Sequence, residues 1–325
     1  MLPDSPIRVR AVLALVCALP LGCNSERAET PAGSEVRSAG QAADVPAGMR
    51  LVPGGRLALG AGDERFPGRP NVAAEVAAFL IDEREVTNAE YRTFVEATGY
   101  VTDAERLQNS VTFLPPDLDP EDAPPPESIL GGQGTWFVIA GADWRHPLGP
   151  NSTIEGLDEH PVVHVSLNDA EAYAAWAGKR LPTEAEWEWA ARGGLDGTPF
   201  IWGSEYVELQ PRANVWQGRF PLENLGVDGF TTTAPVGSFE ANGYALFDMA
   251  GNVWEWVATA RGEGAGAELH EVWRPGMEPG LNAMIKGGSF LCAESYCQGY
   301  RPSERQFKIP QDASNNLGFR CARSL

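Results

Sequence analysis

Glycine and proline punctuate this chain so often, 36 and 26 times in 325 residues, that no long regular element fits between them. Glycine supplies turns and proline removes a backbone donor, so dense punctuation cuts helices and strands into short pieces. A fold built this way has few backbone ladders and needs other staples. Ten Trp within a 43% apolar composition supply one kind, through burial of large rings. Bound cations supply another. The expectation is a mixed α+β unit of low secondary-structure content.

Helices are predicted where the punctuation lapses. Thr87 with Glu90, and Thr183 with Glu186, each set a Thr at an N-cap position and a Glu three residues on, the capping-box pattern. The first continues with Tyr91, Phe94 and Val95 and stops at Gly99; the second carries Trp187, Ala190 and Ala191 and stops at Gly193-Gly194. Residues 168–177 read as a third short helix ending at Gly178. Strand candidates are brief, residues 162–166 and 283–286. The Pro-rich stretch 114–128 reads as an exposed insertion or loop.

At the N-terminus, Arg8 and Arg10 precede an apolar run over residues 11–22, too short to span a bilayer and of the length of a signal-peptide core. Residues 1–22 are therefore expected to direct export. Leu19-Pro20-Leu21-Gly22-Cys23 resembles the lipobox of bacterial lipoproteins, in which Cys23 becomes the lipidated first residue. Pro20 departs from the usual aliphatic residue there, and plain cleavage is the alternative. Residues 23–46 are rich in Ala, Ser, Glu, Gly and Pro with almost no aliphatic pattern, and read as a flexible tether. With no internal repeat or further composition break, residues 47–325 read as a single folded domain. Its expected place is the periplasm or cell surface of a bacterium. A formal charge of −19 argues against a nucleic-acid footprint and suits a cationic peptide partner.

Cys292 and Cys297, five residues apart, are the one cluster suited to redox or soft-metal chemistry, because thiolates are nucleophiles that favour Cu(I), zinc and iron–sulfur centres. A pair suffices for linear Cu(I) but not for a closed zinc site. In an exported chain a structural disulfide is the plain alternative. Cysteine arithmetic does not decide: Cys17 leaves with the signal, Cys23 is the lipidation candidate, and Cys292, Cys297 and Cys321 remain, an odd number.

His160 and His164 would share a metal on a helix, but Pro161-Val162-Val163 predicts a strand, which sets them roughly 13 Å apart at ~3.3 Å per residue. Both read as structural, and His146 and His270 offer no metal spacing. Asp248, Gly251, Val253 and Glu255 offer two carboxylates and two backbone carbonyls around a Gly turn, the oxygen set that calcium takes. Solvated surface carboxylates are the plain alternative in so acidic a chain. Asn214, Val215, Asp228 and Phe230 form a second, weaker oxygen set. On residue type alone Trp187, Trp189 and Trp256 belong to the core, while Trp254 is a candidate wall of a groove.

The segment Gly287-Gly288-Ser289-Phe290-Leu291-Cys292-Ala293-Glu294-Ser295-Tyr296-Cys297 resembles the active-site segment of the formylglycine-generating enzymes, the sulfatase-modifying factors. Also similar to that family are His160-Pro161-Val162-Val163-His164-Val165-Ser166, the run from Ala177-Gly178-Lys179-Arg180 to Glu186-Trp187-Glu188, and Ala213-Asn214-Val215-Trp216-Gln217-Gly218. Gly251-Asn252-Val253-Trp254-Glu255-Trp256 and Asn316-Leu317-Gly318-Phe319-Arg320-Cys321 complete a resemblance that covers about residues 48–325 in order. It implies the family fold, related to C-type lectin-like domains. It also implies an oxidase that uses O2 and a reductant to convert the cysteine of a Cys-X-Pro-X-Arg segment in an unfolded sulfatase into Cα-formylglycine.

By the same resemblance Cys292 and Cys297 hold Cu(I), O2 binds near Ser289, Asn316 lines the pocket, and Arg301 is a weaker candidate for substrate contact. The two oxygen sets match two structural Ca2+ sites. Cys321 matches a residue that, in vertebrate members, pairs with a Cys where this chain has Ala174, so Cys321 is expected to be a buried, inert thiol. Ala293 followed by Glu294 departs from the basic or His residue often found after the first Cys. Two rivals follow from related folds: a non-catalytic binding or accessory module, and a non-haem-iron sulfoxide synthase, whose additional His-rich helical region has no match ahead of residue 48.

Overall fold

Four helices form among the described residues of the computed structural model, each opened by the same side-chain device. The structure describes residues 45–61, 72–114, 129–130, 135–205, 212–258 and 283–325. Helices α1 (Asn88–Thr98) and α4 (Glu184–Arg192) start at Thr87 and Thr183 with both capping-box bonds made, and end on Gly99 and Gly193 with φ of 67° and 59°. Helix α3 (Leu167–Trp176) is capped by Ser166 with Asp169 in the box. Helix α2 (Asp103–Leu107), boxed by Thr102 and Glu105, was not legible because five residues are too few to show an apolar period.

The expected strand over residues 162–166 does not form. Pro161 makes an isolated bridge to Thr87, His164 turns left-handed with φ 57°, and Ser166 is already a helix cap. The strands that do form run from two to five residues. One sheet has the order β1 (Met49–Val52), β4 (Phe79–Asp82), β11 (Ala322–Ser324), antiparallel throughout. A second has the order β10 (Leu317–Gly318), β7 (Trp254–Trp256), β8 (Ala283–Lys286), β9 (Gln306–Lys308), with β10 parallel to β7. Two hairpins, β2 (Gly55–Leu59) with β3 (Val72–Val76) and β5 (Asn109–Phe113) with β6 (Trp136–Ala140), complete the set. The α+β class and the sparse regular structure are as predicted.

Rings hold what ladders do not. Tyr91 contacts Phe94, Trp144 and Tyr173 at centroid separations of 5.4, 5.3 and 5.8 Å, and Tyr173 meets Phe319 at 5.3 Å. Trp187 and Trp256 are fully buried, each with its indole N–H bonded, to Glu255 Oε2 at 2.7 Å and to Val165 O at 2.9 Å. Trp189 is only half-buried; it packs against the edge of the core, and its ring covers Gly55, where a Cβ would approach to 2.4 Å.

Charges are buried with their partners. Glu188 meets Arg192 at 2.7 Å and Lys286 at 3.1 Å, and Glu255 meets Arg320 at 2.7 Å. Contacts divide the chain into Met1–Ala42 and Ala43–Leu325. The expected signal segment, nearly all of the tether, most of the 114–128 loop and His270 lie outside the described residues.

Candidate active site

Three short elements converge on the cysteines. Strand β8 runs into Gly287-Gly288-Ser289, β7 carries Trp254, and Asn316 leads into β10, where its carbonyl accepts the Trp254 N–H at 2.9 Å. Asn316 Nδ2 then donates to Ser289 Oγ at 3.1 Å, while Ser314 Oγ donates to Asn316 Oδ1 at 2.8 Å and fixes which way the amide faces. Leu291 N also donates to Ser289 Oγ at 3.3 Å, and Cys292 N donates to Ser289 O at 2.8 Å.

Cys292 and Cys297 are joined as a disulfide with Cα atoms 5.1 Å apart. Cys292 is fully buried, whereas Cys297 is partly open. The segment around them is held by contacts only glycine allows. A Cβ on Gly288 would lie 2.6 Å from the Gly299 carbonyl carbon, and one on Gly299 would lie 2.4 Å from the Trp254 ring. Trp254, at 4% exposure, is therefore the floor under the turn after Cys297 and not the wall of an open groove.

An aromatic wall that the sequence did not announce closes the other side. Trp216 N donates to Cys292 O at 3.1 Å, and the Trp216 ring meets Phe220 at 5.1 Å and Phe113 at 5.8 Å. Phe220 stacks on Tyr296 at 3.9 Å. Asn315 grips the Phe113 backbone at both its N–H and its carbonyl, at 2.9 Å each. Arg301 is not brought to Ser289 and Asn316; its guanidinium lies 4.5 Å over the Phe200 ring and donates to Gln298.

With the disulfide reduced, the pair presents two thiolates, a donor set that fits a soft ion in linear coordination. Among the described residues no group of three or more His, Cys, Asp or Glu is placed to hold a metal. His164 and His160 are structural, though not on a strand. His164 Nε2 donates to Pro147 O at 2.9 Å and Nδ1 meets Ser110 Oγ at 2.7 Å; burial lowers its pKa to about 4 and keeps it neutral. His160, its pKa also lowered by burial, bonds Thr233 at 2.9 Å. Cys321 is fully buried, and burial followed by the Asp82 charge pushes its thiol well above the usual range, so it is inert.

The first oxygen set gathers around Gln217. Its side chain accepts from Asp228 N at 3.0 Å and donates to Val215 O at 3.1 Å, and Asp228 Oδ1 accepts from Phe230 N at 3.0 Å. Asp228 Oδ2 is buried without a hydrogen-bond partner, and burial raises the Asp228 pKa. A buried carboxylate oxygen without a donor is a group that a cation would satisfy.

The second set is buried rather than solvated, with Asp248 at 6% and Glu255 at 0% exposure. Asp248 Oδ2 accepts from Gly237 N at 2.6 Å, and burial pushes its pKa up to about 6. A third carboxylate, Glu85, stands with them and was missed in the sequence. Burial first, then the charges of Asp248 and Glu255, raises it well above the carboxylate range. Arg320 is the cation facing all three, bidentate on Glu255. Asn252 links the sets: it donates to Glu85 at 2.6 Å and accepts from Asn214 at 3.1 Å.

Residues 35–325 match the sulfatase-modifying factor enzyme 1-like domain. Over 294 residues the chain is 46% identical to the formylglycine-generating enzyme of Thermomonospora curvata, covering 86% of this chain and 94% of that one. It is 40% identical over 285 residues to a Mus musculus protein named inactive Cα-formylglycine-generating enzyme 2, with 85% of each covered. Among solved structures it resembles PvdO from Pseudomonas aeruginosa, with a TM-score of 0.57 and 26% identity over 85% of this chain and 94% of that one.

Proposed function

Because this chain belongs to the sulfatase-modifying factor family, the formylglycine-generating enzymes, we propose that it converts the cysteine of a Cys-X-Pro-X-Arg segment in an unfolded sulfatase into Cα-formylglycine, with O2 as oxidant. The observation that carries the reading is the pair of adjacent sulfurs, Cys292 buried and Cys297 partly open, set beside Ser289 and Asn316. The presence of both cysteines argues against the alternative, a non-catalytic module of the same fold.

The reaction balances as the client thiol, –CH2–SH, plus O2, two electrons and two protons giving the client aldehyde, –CHO, hydrogen sulfide and water. An external reductant supplies the electrons. The client β-carbon loses a hydrogen, the resulting thioaldehyde is hydrolysed, and sulfur leaves as hydrogen sulfide. Reduced Cys292 and Cys297 are the residues that would hold Cu(I), which when bound supplies a soft centre with room for the client thiol and one-electron chemistry towards O2.

Ser289 has a definite proton to give. Its Oγ already accepts from Asn316 Nδ2 and Leu291 N, so its own O–H is left to donate to a reacting oxygen. Ser314 holds the Asn316 amide in the orientation this needs. The Gly288–Gly299–Trp254 contact keeps the cysteine segment from drifting, and Trp216 and Phe220 exclude water on the far side.

Two structural Ca2+ ions are proposed at Asn214, Val215, Asp228 and Phe230, and at Asp248, Gly251, Val253 and Glu255. Export with a lipid on Cys23 is proposed from the N-terminal run, and it requires a client that reaches the same compartment unfolded. The test is incubation of the reduced, Cu(I)-loaded protein with O2, a thiol reductant and a Cys-X-Pro-X-Arg peptide. Mass spectrometry should show loss of sulfur, and an aldehyde probe should label the product. Unmodified peptide at full copper loading refutes the reading.

A further inference from the structure

The loop after Trp216 is tied together by two inward-turned amides, Gln217 and Asn224. Gln217 is 5% exposed, and its atoms bind the loop to itself. Its carbonyl accepts from Leu225 N at 2.7 Å, its N–H donates to Asn224 Oδ1 at 3.2 Å, and its side chain meets Asp228 and Val215. Asn224 Oδ1 also accepts from Gly226 N at 3.3 Å. With these two amides turned inward, Leu222, Leu225 and Val227 stand 56%, 61% and 62% exposed within six residues, beside the exposed Arg219 and Glu223. Single exposed aliphatics are ordinary, but a group of them on a loop tied down from within marks a contact surface.

The loop is continuous with the candidate active site. Phe220, two residues before Leu222, stacks on Tyr296, the neighbour of Cys297, and packs on Trp216, whose N–H holds the Cys292 carbonyl. Tyr296 is itself 48% exposed, which extends the apolar surface to the reacting sulfurs. An unfolded client laid across those sulfurs in extended form passes this loop within a few residues of its cysteine, and an unfolded chain still exposes its core aliphatics.

We infer that Leu222, Leu225 and Val227 form a docking platform for aliphatic residues of the unfolded client that flank its reacting segment. The inference rests on the proposed substrate and adds a second point of contact to it. Because the loop is already ordered by Gln217 and Asn224, little ordering cost opposes the docking. The platform therefore favours clients that have not yet buried their core.

The test uses the full chain and its Leu222→Ser/Leu225→Ser/Val227→Ser variant, with unreactive fluorescent peptides in which Ser replaces the client cysteine. One peptide is the core motif alone; others extend it on either side with Leu and Val, or with Ser and Asn. The aliphatic extension on one side should tighten binding to the native protein about tenfold, as burial of one or two aliphatic side chains would. The variant should bind the core motif equally and lose that gain, with an unchanged melting curve. Equal tightening in both proteins, or none in the native protein, overturns the platform. So does a variant that binds peptides normally but loses dimerisation in sedimentation or adhesion to phosphatidylglycerol vesicles. Aldehyde formation is measured separately on the core peptide, so failed catalysis with an intact extension effect refutes the proposed reaction and leaves the platform standing.

Discussion

Replacing Arg320 with Met probes the buried charge balance behind the candidate site. Arg320 and Glu255 are both fully buried and share two hydrogen bonds, of 2.8 and 2.7 Å. Once the guanidinium is gone, Glu255 keeps the Trp187 N–H but faces Glu85 and Asp248, with only the part-exposed Arg84 left near Asp248 as a cation. Removing one partner of a buried pair costs about 3–5 kcal/mol. Loss of the bond to Phe247 O at 2.9 Å adds about 1 kcal/mol. The expected cost in chelator is thus roughly 4–6 kcal/mol, a melting drop on the order of 10 °C. Urea unfolding followed by Trp fluorescence reads it directly. Arg320→Met combined with Glu255→Gln should regain about half, because a neutral amide removes the stranded charge. Saturating calcium should shrink the loss in the single variant, since a divalent ion at Asp248 and Glu255 replaces part of the missing charge. A cost below about 1.5 kcal/mol in chelator refutes the charge argument, and equal costs with and without calcium refute the ion's placement.

Cys292→Ala and Cys297→Ala should each abolish tight Cu(I) binding and aldehyde formation with little change in stability. A purely structural disulfide would instead cost on the order of 2 kcal/mol, with activity tracking folding; Cys321→Ala is the control and should keep both functions. His164 should make the fold acid-sensitive: its folded pKa of about 4 lies below the ordinary 6.5, so its contribution is complete above pH 6.5 and is lost as pH falls towards 4. That loss is about 3 kcal/mol at most. His164→Asn, which tolerates the positive φ, should flatten this limb of the stability–pH curve; an unchanged curve rules the assignment out. The mature protein should begin at Cys23 and partition into detergent, and Cys23→Ser should release it; unaltered processing and partitioning would exclude lipidation.

What was legible in the chain was local or carried by motif. The Thr87 and Thr183 boxes lie within four residues of sequence, so cap, helix and terminating glycine were all readable before any fold was known. Cys292, Cys297, Ser289 and Asn316 were readable by resemblance, and the structure sets them together. Glu85 and Arg320 were not, because a buried charge shows itself only through a partner that the fold brings across 167 residues from Glu85 to Asn252, or 65 from Arg320 to Glu255. Phe113 and Phe220 belong to no motif, and only their stacking places them beside the cysteine segment. The failed strand at residues 162–166 has a backbone cause: Pro161-Val162-Val163 predicted extension, and the left-handed turn at His164 interrupts it.

Strand β4 pairs on one side with β1, its near neighbour in sequence, and on the other with β11, at residues 322–324. Cys321 N likewise bonds Asp82 across 239 residues, and Arg320 reaches back to the carbonyls of Asp82 and Glu83. The sheet therefore cannot be completed until residues 322–324 return to β4, and contacts this far apart in sequence form late and slowly. The docking of β11 is thus a late step of folding, and until it happens β4 keeps one edge unpaired.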